Sequence, residues 1–350
     1  MNRSVTTLGV IGLVVSSWAG SVRAQGNAEK AESPAAPAFE SLDRLQRHYN
    51  QRVQETRRAV EVQRLAALER LLKAAPGSDR PAVLHSMIET AMFLEQFDRV
   101  LSLSATFLKE HAASPEVWSV RRVRYGSLIA DNRGVQARRE WEEASTDVDM
   151  EVWQQIIDAG MQVAEGLADA GQVDEVRAIY ATIRKRFAFV PDLERVLGPK
   201  TEALAWVGRR PPALEGKDLD GRRVDLFGYH GRVVLIDFWA TWCQPCIAAL
   251  PELIETYEEH HDSGFEVISI SLDSDVKALK QFLQRSPLPW RIICDGWAWN
   301  GPNVRNYQVS GIPATFLVDR KGKIARVGVP TRGFGPVVRR LLAEPAVSKH

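Results

Sequence analysis

Cysteine is scarce in this sequence: three residues in 350, at positions 243, 246 and 294. Three are too few for a disulfide scaffold. A structural zinc site takes four ligands, and the seven histidines do not stand at paired-ligand spacing. An excess of charge is missing as well, since 45 Lys and Arg face 44 Asp and Glu. That balance marks neither a nucleic-acid binder nor a polybasic membrane patch. Strand-forming runs are almost absent between residues 81 and 206, which leaves helices for that region. The apolar stretch from Val5 to Ala19 falls short of the roughly 20 residues that a membrane span needs. What is present is an apolar content of 45%, enough for the cores of the two domains that the length suggests.

The most informative stretch runs from Arg232 to Pro251. Val233 to Trp239 is a short apolar run rich in β-branched and aromatic residues, which predicts a buried strand of a mostly parallel sheet. Cys243 and Cys246 follow at C-x-x-C spacing. Ile247, Leu250, Leu253, Ile254 and Tyr257 then recur at helical spacing. Cys243 is therefore expected at a helix N-terminus, where unpaired backbone N–H groups and a partial positive charge favour thiolate over thiol. The thiolate is the nucleophile. Cys246, one turn further in, can close an intramolecular disulfide, and Pro245 falls in the first turn, where a missing N–H costs nothing. Two other readings stand beside a redox pair. One is half of a zinc site. The other is a static disulfide, whose two-residue gap closes too small a loop to constrain the unfolded chain much.

Trp242-Cys243-Gln244-Pro245-Cys246 after a strand ending Asp237-Phe238-Trp239-Ala240 resembles the thioredoxin superfamily. The wider context, with Pro251 five residues after the second cysteine, is similar to its TlpA/ResA-like branch of extracytoplasmic bacterial thiol-disulfide oxidoreductases. The resemblance covers about residues 207–345. It implies an α/β thioredoxin fold with an N-terminal hairpin, here around Asp220-Gly221, and an inserted strand and loop from Trp290. It implies a redox disulfide Cys243–Cys246 and no cofactor. It also implies a cis bond before Pro313 in Gly311-Ile312-Pro313-Ala314-Thr315, facing the disulfide. Ile312 would offer backbone groups to an extended substrate strand. Asp237 matches a buried acid that can take the proton of Cys246, unless the strand turns that side chain to a polar surface. Trp242, Gln244, Pro245, Ile312 and Trp297 are the candidate substrate-binding residues. The loop of Trp297 and Trp299 either lines the groove or packs under it. Ala249 departs from relatives that carry Glu there, so that acid's role is not transferred. Cys294 lies in an apolar stretch and is expected to be buried and inert.

Residues 1–24 read as a secretory signal, with Arg3, the apolar stretch and Val22-Arg23-Ala24 as a cleavage site. An uncleaved membrane anchor is the alternative. No cysteine follows that would carry a lipid. Export places the cysteines where disulfides persist, in the periplasm or otherwise outside the cytoplasm. Residues 25–39 read as a linker. Residues 40–206 read as an all-α, repeat-like domain. A helix or helix pair with Leu42, Leu45, Tyr49, Val53 and Val60 on one face stops at Pro76-Gly77. Ser114 before Pro115 is expected to cap a helix. Phe97-Asp98, Val135-Gln136 and Val173-Asp174 start similar helices 38 residues apart, and Gly171 to Tyr180 resembles the second helix of a tetratricopeptide repeat. Such pairs bury their faces by stacking. The domain either binds a protein partner or only positions the redox module.

The sequence thus predicts an exported thiol-disulfide oxidoreductase that reduces a disulfide-bearing protein substrate, itself reduced by a membrane or periplasmic thiol electron donor. A peroxiredoxin-like peroxidase is a second reading. Its cysteine follows a Thr by three residues, whereas here Ala240 holds that place and Thr241 is one residue off. A binding scaffold with an incidental redox pair is the third.

Overall fold

The computed structural model of the chain describes residues 42–146, 151–328 and 334–345, so the expected signal sequence and linker lie outside the described residues. Helices come first: α1 (Leu42–Ala74), α2 (Arg80–Phe93), α3 (Phe97–Glu110), α4 (Val117–Ala130), α5 (Gly134–Ala144), α6 (Trp153–Asp169), α7 (Val173–Arg186) and α8 (Leu193–Trp206). Then follow β1 (Val233–Trp239), α9 (Gln244–His260), β2 (Phe265–Ser271), α10 (Val276–Arg285), β3 (Arg291–Ile293), α11 (Pro302–Asn306), β4 (Ala314–Val318), β5 (Ile324–Val327) and α12 (Gly335–Ala343). Among the described residues no helix is long and apolar enough to cross a membrane.

The stripe expected on α1 is not a buried one. Tyr49, Val53 and Val60 are 56%, 60% and 55% exposed, and burial begins only at Leu65, with Leu68 and Leu72 against Val83 and Met87 of α2. Ser114 does not cap a helix either. Its hydroxyl bonds the Glu116 carboxylate, and α4 starts only at Val117, whose N–H reaches the Ser114 carbonyl. Proline at 115 permits a turn as readily as a first helical residue.

The three similar helix starts share one backbone device. Glu95, Asn132 and Gly171, with φ of 59°, 57° and 75°, are left-handed. The next N–H in each case reaches back six residues inclusive: Gln96 to Ala91, Arg133 to Leu128 and Gln172 to Leu167. This is the Schellman arrangement, which satisfies the last carbonyls of a helix and turns the chain back on itself. α2–α3, α4–α5 and α6–α7 are reversed in this way. Trp141, fully buried, fills the space between α5 and α6 and donates its indole N–H to the Ile156 carbonyl at 2.8 Å.

The sheet order is β3-β2-β1-β4-β5. β1 lies parallel to β2 and antiparallel to β4, so the sheet is mixed rather than mostly parallel. Central β1 is buried along its whole length, which accounts for its continuous apolar run. The expected hairpin shrinks to one bridge, Lys217 with Arg223. The Asp218 carboxylate accepts the N–H groups of Asp220 and Arg222 inside the turn and pairs with Arg291 of β3 at 2.7 Å.

From Glu55 onward the chain forms one compact unit. Trp206, at the end of α8, stacks on Tyr307 with ring centroids 6.3 Å apart and meets Phe316 edge-on at 5.6 Å. Gly208 and Arg209 exchange backbone bonds with Ile324, each 2.8 Å, and so cover part of edge strand β5. Arg326 of β5 pairs with Asp169 of α6, and Arg340 of α12 donates to the Asp169 carbonyl at 2.7 Å.

Candidate active site

The cysteine turn is held from both sides. Leu272 N–H bonds the Trp239 carbonyl at 2.8 Å, which ties the end of β1 to the end of β2. Beyond it, the buried Asp273 carboxylate accepts the Thr241 hydroxyl at 2.6 Å and the Thr241 N–H at 3.1 Å, and also takes the Ser271 hydroxyl at 2.7 Å. Cys243 then caps α9. Its sulfur accepts the Cys246 N–H at 3.3 Å, so the first turn of the helix points a donor at that atom. Cys243 and Cys246 form a disulfide. In this oxidised state their exposures are 5% and 4%. The two sulfurs are thus equally covered in the disulfide form, and what distinguishes them is the capping bond to Cys243. Trp242, Gln244 and Pro245 surround the pair as exposed residues.

Asp237 faces inward. It lies in register with Ser269, whose hydroxyl donates to it at 3.2 Å. The direction of that bond is set by Trp290: its indole N–H, which can only donate, reaches Ser269 Oγ at 2.9 Å. Burial pushes the Asp237 carboxyl up to about 7, with the Ser269 bond partly offsetting the rise. An acid there takes or gives a proton near neutral pH.

Ile312–Pro313 is cis. Ala314 pairs with Phe238, so the proline loop leaves the same end of the sheet as the cysteine turn. Ile312 is half-buried against the core. Trp297 is 62% exposed, which excludes packing under its loop. The ring that meets Trp242 is that of Trp299, with centroids 6.5 Å apart. Cys294 lies just beyond β3 and is half-buried, not enclosed. Its thiol donates to the Asp273 carbonyl at 3.4 Å, and burial pushes its pKa up.

Ser269 and Asp273 belong to no sequence motif, and Trp290 reads from sequence only as the start of the inserted strand. Their roles depend on strand pairing, which the local residue pattern does not carry.

Residues 207–327 match the family described as AhpC/TSA. The thiol-disulfide oxidoreductase ResA of Bacillus thuringiensis subsp. konkukian (strain 97-27) is 30% identical over 118 residues, 34% of this chain and 66% of that protein. The chain thus spans just under two thirds of the length of such Bacillus relatives. ResA of Geobacillus kaustophilus (strain HTA426) is 30% identical over 136 residues, 39% of this chain and 76% of that protein. The solution structure of a thiol:disulfide interchange protein from Bacteroides sp. is 28% identical with a TM-score of 0.36, covering 39% of this chain and 91% of that one. With 30% identity carried over 76% of a relative's length, the chain belongs to the family of the ResA thiol-disulfide oxidoreductases.

Proposed function

We propose that this protein is an exported thiol-disulfide oxidoreductase that reduces disulfides of extracytoplasmic proteins. The observation that carries the reading is the Cys243–Cys246 disulfide at the N-terminus of α9, at the sheet end that also carries the cis-proline loop and following the strand that holds a buried acid. In the dithiol form the Cys243 thiolate attacks one sulfur of a substrate disulfide. That S–S bond breaks, a mixed disulfide forms, and the departing thiolate takes a proton from solvent. Cys246 gives its proton to Asp237 and attacks the Cys243 sulfur. The second substrate sulfur leaves, two electrons have passed to the substrate, and the chain holds the Cys243–Cys246 disulfide. A thiol donor outside the chain restores the dithiol.

Export rests on the pattern of residues 1–24. Protein recovered from the periplasm is expected to start near Gln25 by intact mass; a mass retaining residues 1–24 favours an anchor instead.

Cys246→Ser is expected to trap mixed disulfides and Cys243→Ser is not. Trapping by the second variant alone reverses the assignment. Gln244 and Pro245 add no positive charge, and only the helix N-terminus stabilises the thiolate, so the couple is expected nearer to thioredoxin, at about −270 mV, than to a strong oxidant. Equilibration with glutathione, followed by tryptophan fluorescence, measures it. A potential above about −150 mV makes the protein an oxidant.

Peroxide reduction is the second reading, favoured by the AhpC/TSA match. Against it, the Thr241 hydroxyl is engaged by Asp273 and stands two residues before Cys243, not three. A peroxide-consumption assay separates the two.

A further inference from the structure

The cavity beside the cis-proline loop has one wall that the thioredoxin-like part does not supply. It encloses about 460 Å³. Ser310, Gly311 and Pro313 form one side, and Glu202, Ala203 and Trp206 of α8 form the other. We infer that α8 is the second wall of the substrate groove, so that the helical part grips an extended segment of the protein substrate next to its cysteine. The inference rests on the disulfide-exchange reading above.

Three observations carry it. The first is position. Because Ala314 pairs with Phe238, the proline loop and the cysteine turn emerge together from adjacent strands, and the cavity opens from that loop. Gly311 and Pro313, the two neighbours of Ile312, line the cavity, so a polypeptide on the backbone of Ile312 would lie at its edge. The second is rigidity. Trp206 stacks on Tyr307, Tyr307 packs against Phe316 and Phe238, and the Tyr307 hydroxyl donates to the Pro212 carbonyl at 2.7 Å. The wall is thereby fixed to β1 and β4, the strands that carry the reacting loops. A preformed groove spares the binding partner the cost of ordering it. The third is chemistry. Ala203 and Trp206 present apolar surface, Gly311 leaves room for a main chain, since an added Cβ there meets nothing within 4 Å, and exposed Glu202 and Arg209 set one charge of each sign at the rim. A loop backbone on one side and the apolar side chains of Ala203 and Trp206 on the other suit an extended strand.

The test uses the full-length protein and two substrates, insulin as a polypeptide disulfide and hydroxyethyl disulfide as a small one. Bulk is added to the wall by Ala203→Trp and, on the exposed rim, by Glu202→Trp. Each variant is expected to lower the ratio of kcat/KM for insulin to that for hydroxyethyl disulfide at least fivefold, with the loss in the insulin KM rather than in kcat. A ratio within twofold of the wild type in both variants overturns the inference. So does a fall in melting temperature with no change in the ratio, which makes the cavity a packing defect between the two parts. If Ala203→Trp does not fold, Glu202→Trp decides alone. Wild-type protein that turns over neither disulfide overturns the exchange reading. Turnover of the small disulfide but not of insulin leaves that reading intact and refutes the extended-polypeptide occupant.

Discussion

Asp237 is the residue at which burial and chemistry meet. Its carboxyl titrates near 7 in the folded chain against an ordinary 3.8. The folded state therefore keeps a proton that the unfolded state has already released. Both are protonated below about pH 4, so the group is neutral to stability there. As pH rises through the folded value, stability is lost, by about 4 kcal/mol for a shift of this size. Asp237→Asn is expected to match the wild type in urea unfolding near pH 4 and to exceed it above pH 7, while slowing disulfide exchange. An exchange rate unchanged from pH 6 to 9 removes Asp237 from the mechanism. Ser269→Ala takes away the one hydrogen bond that opposes burial, so the pH midpoint of exchange moves upward; a midpoint that stays or falls contradicts the bond direction set by Trp290.

At the level of elements, the left-handed turns between helix pairs are chemically unequal. Asn132 and Gly171 suit that conformation, whereas Glu95 carries a Cβ that crowds its own backbone at φ 59°. Glu95→Gly is expected to stabilise the chain by roughly 1 kcal/mol, less the entropy that glycine returns to the unfolded state. Thermal unfolding reads the gain. A loss of stability means that Glu95 makes a compensating contact through its side chain. The cysteine turn shows the same logic in another form. Asp273 places three acceptor bonds on the segment from Thr241 and on Ser271, so the sulfur of Cys243 is presented by a turn held in place before substrate arrives.

For the whole molecule, the seam between helices and sheet is the distinguishing feature. Arg326 is 7% exposed and pairs with Asp169, whose side chain is 44% exposed. Removing Asp169 leaves a nearly buried guanidinium with Glu165 as its remaining attracting carboxylate. Asp169→Ala is expected to cost roughly 2 kcal/mol, since solvent at the open side screens part of the penalty. With this pair and the Trp206 stack in place, helical and sheet parts are expected to unfold in one transition. Far-UV circular dichroism and tryptophan fluorescence should coincide across a urea titration. Two separated transitions in the wild type contradict a shared unit, and their appearance only in Asp169→Ala locates the coupling in that pair.

Local chemistry is legible in the sequence where it repeats or clusters. The β-branched run, the C-x-x-C and the helical spacing after it determined a strand, a turn and a capped helix within a residue or two. Pro313 and Asp237 were legible through their motifs. So were the helix starts at 97, 135 and 173, because turn residues act on their own neighbours. The fate of the α1 stripe was not legible, since periodicity tells which residues share a face but not whether anything covers it. The antiparallel pairing of β1 with β4 escaped for a similar reason: an apolar run reports burial, not the direction of its partner. Ser269 beneath Asp237, Trp290 behind Ser269, Asp273 under Thr241, Trp299 rather than Trp297 against Trp242, and α8 across from the proline loop each join residues from different parts of the chain. Such contacts are decided by how strands pair and helices dock, and only the tertiary structure contains that.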